Sequence, residues 1–111
     1  MSKELDAKWR EVLREYRTYW SPGMLVRDGD RYTEESRYPR SVRVPDWNDP
    51  ATLGALLAQV RKRYMDPTIY ARPDDGGWTL FNALGPVDPR GCRRSGPDEA
   101  SAMLCGLELA P

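Results

Sequence analysis

The sequence predicts an α+β protein: a small antiparallel sheet, made of two hairpins plus an edge strand, packed with three helices. Three observations carry that reading. Apolar residues recur at helical spacing in three separate segments, two short β-rich pairs flank turn-forming runs, and two of the helices are opened by a proline after or before an aspartate. An antiparallel sheet covered by helices is the arrangement that buries all these faces together.

The elements follow in chain order. Residues 2–20 read as a helix, because Leu5, Trp9, Val12, Leu13, Tyr16 and Trp20 fall on one face. Lys3, Arg10, Arg14 and Arg17 flank that stripe on one side, and Glu4, Lys8, Glu11 and Glu15 on the other. Ser21-Pro22-Gly23 stops it, since proline cannot continue the ladder and glycine takes the left-handed cap. Strands are expected within about 24–44. Met24–Arg27 and Arg31–Glu34 flank Asp28-Gly29-Asp30, a hairpin turn sequence. Arg37–Pro45 follows as an edge strand bracketed by Pro39 and Pro45, with Val42 and Val44 on one side and Ser41 and Arg43 on the other.

A helix over 49–64 is the most strongly signalled element. Asp49 suits the N-cap, Pro50 the first helical position, and Arg61-Lys62-Arg63 the negative end of the dipole. Leu53, Leu56, Leu57, Val60 and Tyr64 form its stripe; Ala51, Gly54, Ala55 and Ala58 form a second, small-residue face. A second hairpin spans 68–82 around Pro73–Gly77, and 84–96 reads as a loop. The last helix, 97–109, has the stripe Ala100, Met103, Leu104 and Leu107. Its small residues Ala102, Cys105 and Gly106 are the expected cover for the small face of the 49–64 helix.

At 111 residues the chain is one domain by length, 1–111. Its 17 basic and 17 acidic residues cancel, which argues against both a broad nonspecific grip on nucleic acid and an acidic mimic of it. No apolar run approaches the roughly 20 residues that span a bilayer, so no membrane partner is expected. The N-terminal residues lack the apolar core of a signal peptide, which places the chain in the cytoplasm with Cys92 and Cys105 as free thiols.

Histidine is absent. That removes Ser-His and Cys-His nucleophiles and most transition-metal ligand sets, so the chain is read as no enzyme, with no metal and no cofactor. Asp28 and Asp30 do not begin a calcium loop, because Tyr32 and Pro39 stand where its fifth and twelfth ligand positions fall. Cys92 sits among Arg90, Arg93 and Arg94, which would favour its thiolate. No second group completes a reaction there.

The expected working surface is basic and aromatic: Arg31, Arg37, Tyr38, Arg40 and Arg43, with Arg90, Arg93 and Arg94 in the later loop. Arginine offers planar multidentate donors and tyrosine offers stacking area, a pairing suited to a protein hot spot or to a phosphate backbone. The same charges would also keep an edge strand from pairing with other chains.

Asp49–Arg61, Gly76-Gly77-Trp78, Glu99–Ala102 and Leu107–Pro111 together resemble small uncharacterised proteins of tailed phages and prophages, over the second half of the chain. The resemblance implies an accessory protein of the host cytoplasm that binds a host or phage protein stoichiometrically, the way inhibitors of host defence such as anti-CRISPR proteins act. The alternative is a nucleic-acid-binding accessory protein using the Arg/Tyr edge. Charge segregation on the 2–20 helix also allows a homodimer through a parallel pair of these helices.

Overall fold

The Leu25 N–H donates to the Thr52 hydroxyl oxygen at 2.9 Å; side chains complete much of the architecture of this chain. The computed structural model describes residues 3–87 and 96–110. They form α1 (Lys3–Arg14), α2 (Pro50–Tyr64), β1 (Tyr70–Asp74), β2 (Gly77–Asn82), β3 (Gly85–Pro86) and α3 (Glu99–Leu109). Three helices and a three-stranded antiparallel sheet in the order β1-β2-β3 make it an α+β protein. Contacts group the chain into two compact units, Met1–Leu56 and Leu57–Pro111, and α2 runs from the first into the second.

In the first unit Trp9, Val12 and Leu13 of α1 are buried, as their helical spacing predicts. Trp9 meets the rings of Trp20 and Trp47 edge-on, at 5.1 and 6.1 Å between centroids. The helix expected over 2–20 ends at Arg14. Tyr16 takes a left-handed backbone with φ 59°, its N–H reaches Leu13 O, and Arg17 N–H reaches Val12 O. This is a Schellman cap with tyrosine in the position glycine usually fills. Of the stripe residues expected for a helix pair between two copies, Trp9, Val12, Leu13 and Trp20 are buried in the unit's own interior, whereas Tyr16 is 64% exposed.

The turn at Asp28-Gly29 forms, but regular strands around it do not. Leu25↔Arg31, Val26↔Pro45 and Trp20↔Ser36 are isolated bridges, and no strand lies between 24 and 44. The edge strand over 37–45 is likewise absent. Only its end pairs, through Arg27 N–H to Val44 O and Asp46 N–H to Leu25 O. Val44 is buried and Val42 is 84% exposed, so they do not share a face. Prolines remove donors from this stretch, and the Leu25 N–H is taken by Thr52, which leaves too few consecutive donors for a ladder.

In the second unit the hairpin appears as expected, with a tighter turn. Asp75 and Gly76 both have positive φ, 40° and 95°, the signature of a two-residue type I′ turn. Pro73 sits within β1, opposite Trp78, which an edge strand tolerates. β3 comes from the stretch read as loop.

α2 starts on its expected cap: the Asp49 carboxylate accepts from Thr52 N–H at 3.0 Å and from the Thr52 hydroxyl at 2.9 Å. It ends like α1, with Met65 left-handed at φ 52° and Asp66 N–H bonded to Arg61 O. The small-residue face of α2 is not covered: Ala51, Gly54 and Ala58 are exposed. Close approach occurs at Gly106 of α3 instead. A Cβ there would lie 2.5 Å from Leu80 Cδ1 and 3.7 Å from Val60 Cγ1, and the Tyr64 hydroxyl donates to Gly106 O at 2.9 Å.

Candidate functional site

The arginines of the first unit divide into two groups according to what the fold places beside them. Arg31 donates from Nη1 and Nη2 to the Asp49 carboxylate at 2.8 and 3.2 Å, and from Nη1 to Gly23 O. Arg37 donates from Nε to Glu35 at 2.6 Å and lies 4.0 Å over the Tyr19 ring. Arg40 and Arg43 are exposed, and neither guanidinium has an ion pair among the described residues. Tyr38, 62% exposed, and Val42 lie on the same irregular segment as these two free cations.

Beside that segment a cleft of about 450 Å³ is lined by Asp30, Arg31, Tyr32, Thr33, Glu34, Glu35, Ser36 and Arg43. Its wall is pinned at both ends. Tyr32 N–H bonds Met24 O, its carbonyl accepts from Gly23 N–H, and Trp20 and Ser36 exchange both backbone bonds. The Tyr32 ring stacks on buried Trp20, with 4.6 Å between centroids and 14° between planes.

Electrostatics follows the same division. The Arg31 fork, with the Thr52 hydroxyl and N–H, pulls the Asp49 carboxyl down to about 2. Asp6 is also held below its ordinary value, first by hydrogen bonds from Arg27 at 2.8 and 2.7 Å, with the Trp47 indole N–H adding a third at 2.9 Å. The guanidinium groups of Arg27, Arg31 and Arg37 are each raised by the carboxylate they hold. In the second unit the Thr68 hydroxyl lowers Asp66, which also accepts from Asn82. These carboxylates are ionised structural acceptors, unsuited to general-acid work near neutral pH.

The structure therefore gathers Arg31, Arg37, Tyr38, Arg40 and Arg43 on one stretch, but commits two of its cations to internal ion pairs. Arg90, Arg93, Arg94 and Cys92 lie outside the described residues. Cys105 is disulfide-bonded, and no free cysteine occurs among the described residues, which corrects the expectation of a free thiol at that position. Among the described residues no group of three His, Cys, Asp or Glu is placed to hold a metal ion, and no helix is long and apolar enough to cross a membrane.

Asp30, Tyr32 and Glu34 are the cleft residues that sequence reasoning assigned to a turn and a strand. A local signal existed only for Arg37, which has Glu35 two residues before it; Arg27 and Arg31 pair with Asp6 and Asp49, which are 21 and 18 residues away. Comparison of the chain with protein-family models, with curated proteins and with solved structures finds no match.

Proposed function

We propose that the protein is a non-catalytic accessory protein that acts by stoichiometric binding to a protein complex of a phage's host, in the manner of an inhibitor of host defence such as an anti-CRISPR protein. The observation that carries the binding reading is the exposure of Tyr38 and Val42 on the segment that also bears the unpaired Arg40 and Arg43. Tyrosine beside arginine is the composition of a protein hot spot, and the exposed Val42 adds apolar area to it. The phage setting rests on the resemblance of the second half of the chain.

Neutralisation of Arg31 by Asp49 and of Arg37 by Glu35 argues against the nucleic-acid alternative. Each internal pair removes a cation that could release a counterion from a phosphate backbone, and the Arg/Tyr stretch keeps only Arg40 and Arg43 for that role. A disulfide at Cys105 favours an oxidising environment, so the binding reading does not depend on the host cytoplasm.

The test is capture of partners from nuclease-treated host lysate by the intact protein and by a Tyr38→Ala/Val42→Asp/Arg43→Glu variant. A protein retained at high salt by the former and lost by the latter is the expected result. Retention that disappears with nuclease treatment would return the reading to nucleic acid.

A further inference from the structure

The uncommitted charges of the cleft do not match the basic character of its sequence. Of the residues lining it, Arg31 is held by Asp49 and Glu35 by Arg37. The Asp30 and Glu34 carboxylates and the Arg43 guanidinium make no side-chain hydrogen bond or ion pair among the described residues. Two free carboxylates thus face one free guanidinium within a single concavity, and the cation is not within ion-pair reach of either acid.

Tyr32, between Asp30 and Glu34 in the sequence, also lines the cleft; its ring stacks on buried Trp20, and backbone bonds at Tyr32 and Ser36 hold the segment in place. A supported aromatic face beside two carboxylates is suited to a cation, through attraction to the ring quadrupole and charge-assisted hydrogen bonds. This chain already stacks its own guanidinium groups on rings, Arg37 on Tyr19 at 4.0 Å and Arg72 on Phe81 at 3.9 Å.

We infer that the cleft is a socket for an arginine or lysine side chain of the partner protein, which Asp30 and Glu34 engage across Tyr32, while Arg43 takes a neighbouring carboxylate of the same partner. The inference rests on the protein-binding reading and names the partner's chemistry: a basic residue beside an acidic one. Planar guanidinium fits the stacked geometry better than a compact ammonium, so arginine is the preferred occupant.

The test uses the isolated full-length protein and needs no partner. N-acetyl-arginine amide is titrated to 50 mM against the ¹⁵N-labelled chain, with N-acetyl-glutamate amide as the counter-probe, roughly the range where single-residue contacts are measurable. The arginine probe should shift the backbone amides of Asp30–Ser36 with millimolar affinity and outbind the lysine analogue. The Asp30→Asn/Glu34→Gln variant should weaken that binding at least tenfold while its spectrum elsewhere stays unchanged, which reports an intact fold. No shift at 50 mM, shifts unaffected by the double variant, or the same shifts from the acidic probe would each overturn the socket. Those outcomes leave the Tyr38/Val42 surface to its own capture experiment, so the two failures are separable.

Discussion

Arg27 grips the Asp6 carboxylate with both terminal nitrogens, at 2.8 and 2.7 Å, across 21 residues of chain. The Trp47 indole N–H completes the arrangement on Asp6 Oδ1. One carboxylate near the start of α1 thereby ties the helix to the Arg27 turn and to the approach to α2. Asp6→Ala should destabilise the protein by about 2–3 kcal/mol, because it leaves a charged donor and an indole N–H without their acceptor. Urea unfolding followed by tryptophan fluorescence measures it, and a loss under 0.5 kcal/mol would show the fork to be incidental.

Acid should unfold the chain through its depressed carboxylates. Native Asp49, at about 2 against an ordinary 3.8, takes up a proton less readily than the unfolded chain does. Its contribution is therefore complete above the ordinary carboxylate value and is lost as pH falls through that value toward 2. Asp6 and Asp66 are shifted in the same direction, by Arg27 and by Thr68, and add to the same window. Urea midpoints should be level from pH 7 to 5 and fall steeply below 4. Asp49→Asn should flatten part of that slope.

Adding a side chain should have opposite signs at two helix glycines. Gly54 of α2 is exposed and a Cβ there meets nothing within 4 Å, so Gly54→Ala should stabilise by about 0.5–1 kcal/mol through helix propensity alone. At Gly106 the new Cβ would stand 2.5 Å from Leu80 Cδ1, and Leu80 is buried. Gly106→Val should cost about 2–3 kcal/mol from overpacking. Thermal melts of both variants check the contrast.

Reduction should weaken the second unit. Cys105 is disulfide-bonded on a helix whose next residue makes the tight contact with Leu80. Protein prepared under oxidising conditions should show no alkylation at Cys105, and reductant should lower stability by about 2–3 kcal/mol. Mass spectrometry and melts with and without reductant measure both effects; an alkylated Cys105 without reductant would refute the bridge.

The local chemistry of this chain is legible in its sequence alone. Asp49 and Pro50 announced the start of α2, Pro73–Gly77 the second hairpin though not its tight turn, Asp98 stands at the start of α3, and the spacing of Trp9, Val12 and Leu13 announced the buried face of α1. Each of these depends on residues within a turn or two of one another, so the sequence by itself determines them. Tertiary structure decided what depends on distant partners. It ended α1 at Arg14 through an unexpected left-handed tyrosine, and gave the Leu25 N–H to Thr52 in place of a strand. It also left the small face of α2 open and paired Arg31 with Asp49. An ion pair between residues 18 apart has no periodic signature, because it depends on where two turns place their side chains rather than on spacing along an element. That is why an arginine-rich stretch read as a basic surface became, once folded, a cleft whose free charges are two acids and a single arginine.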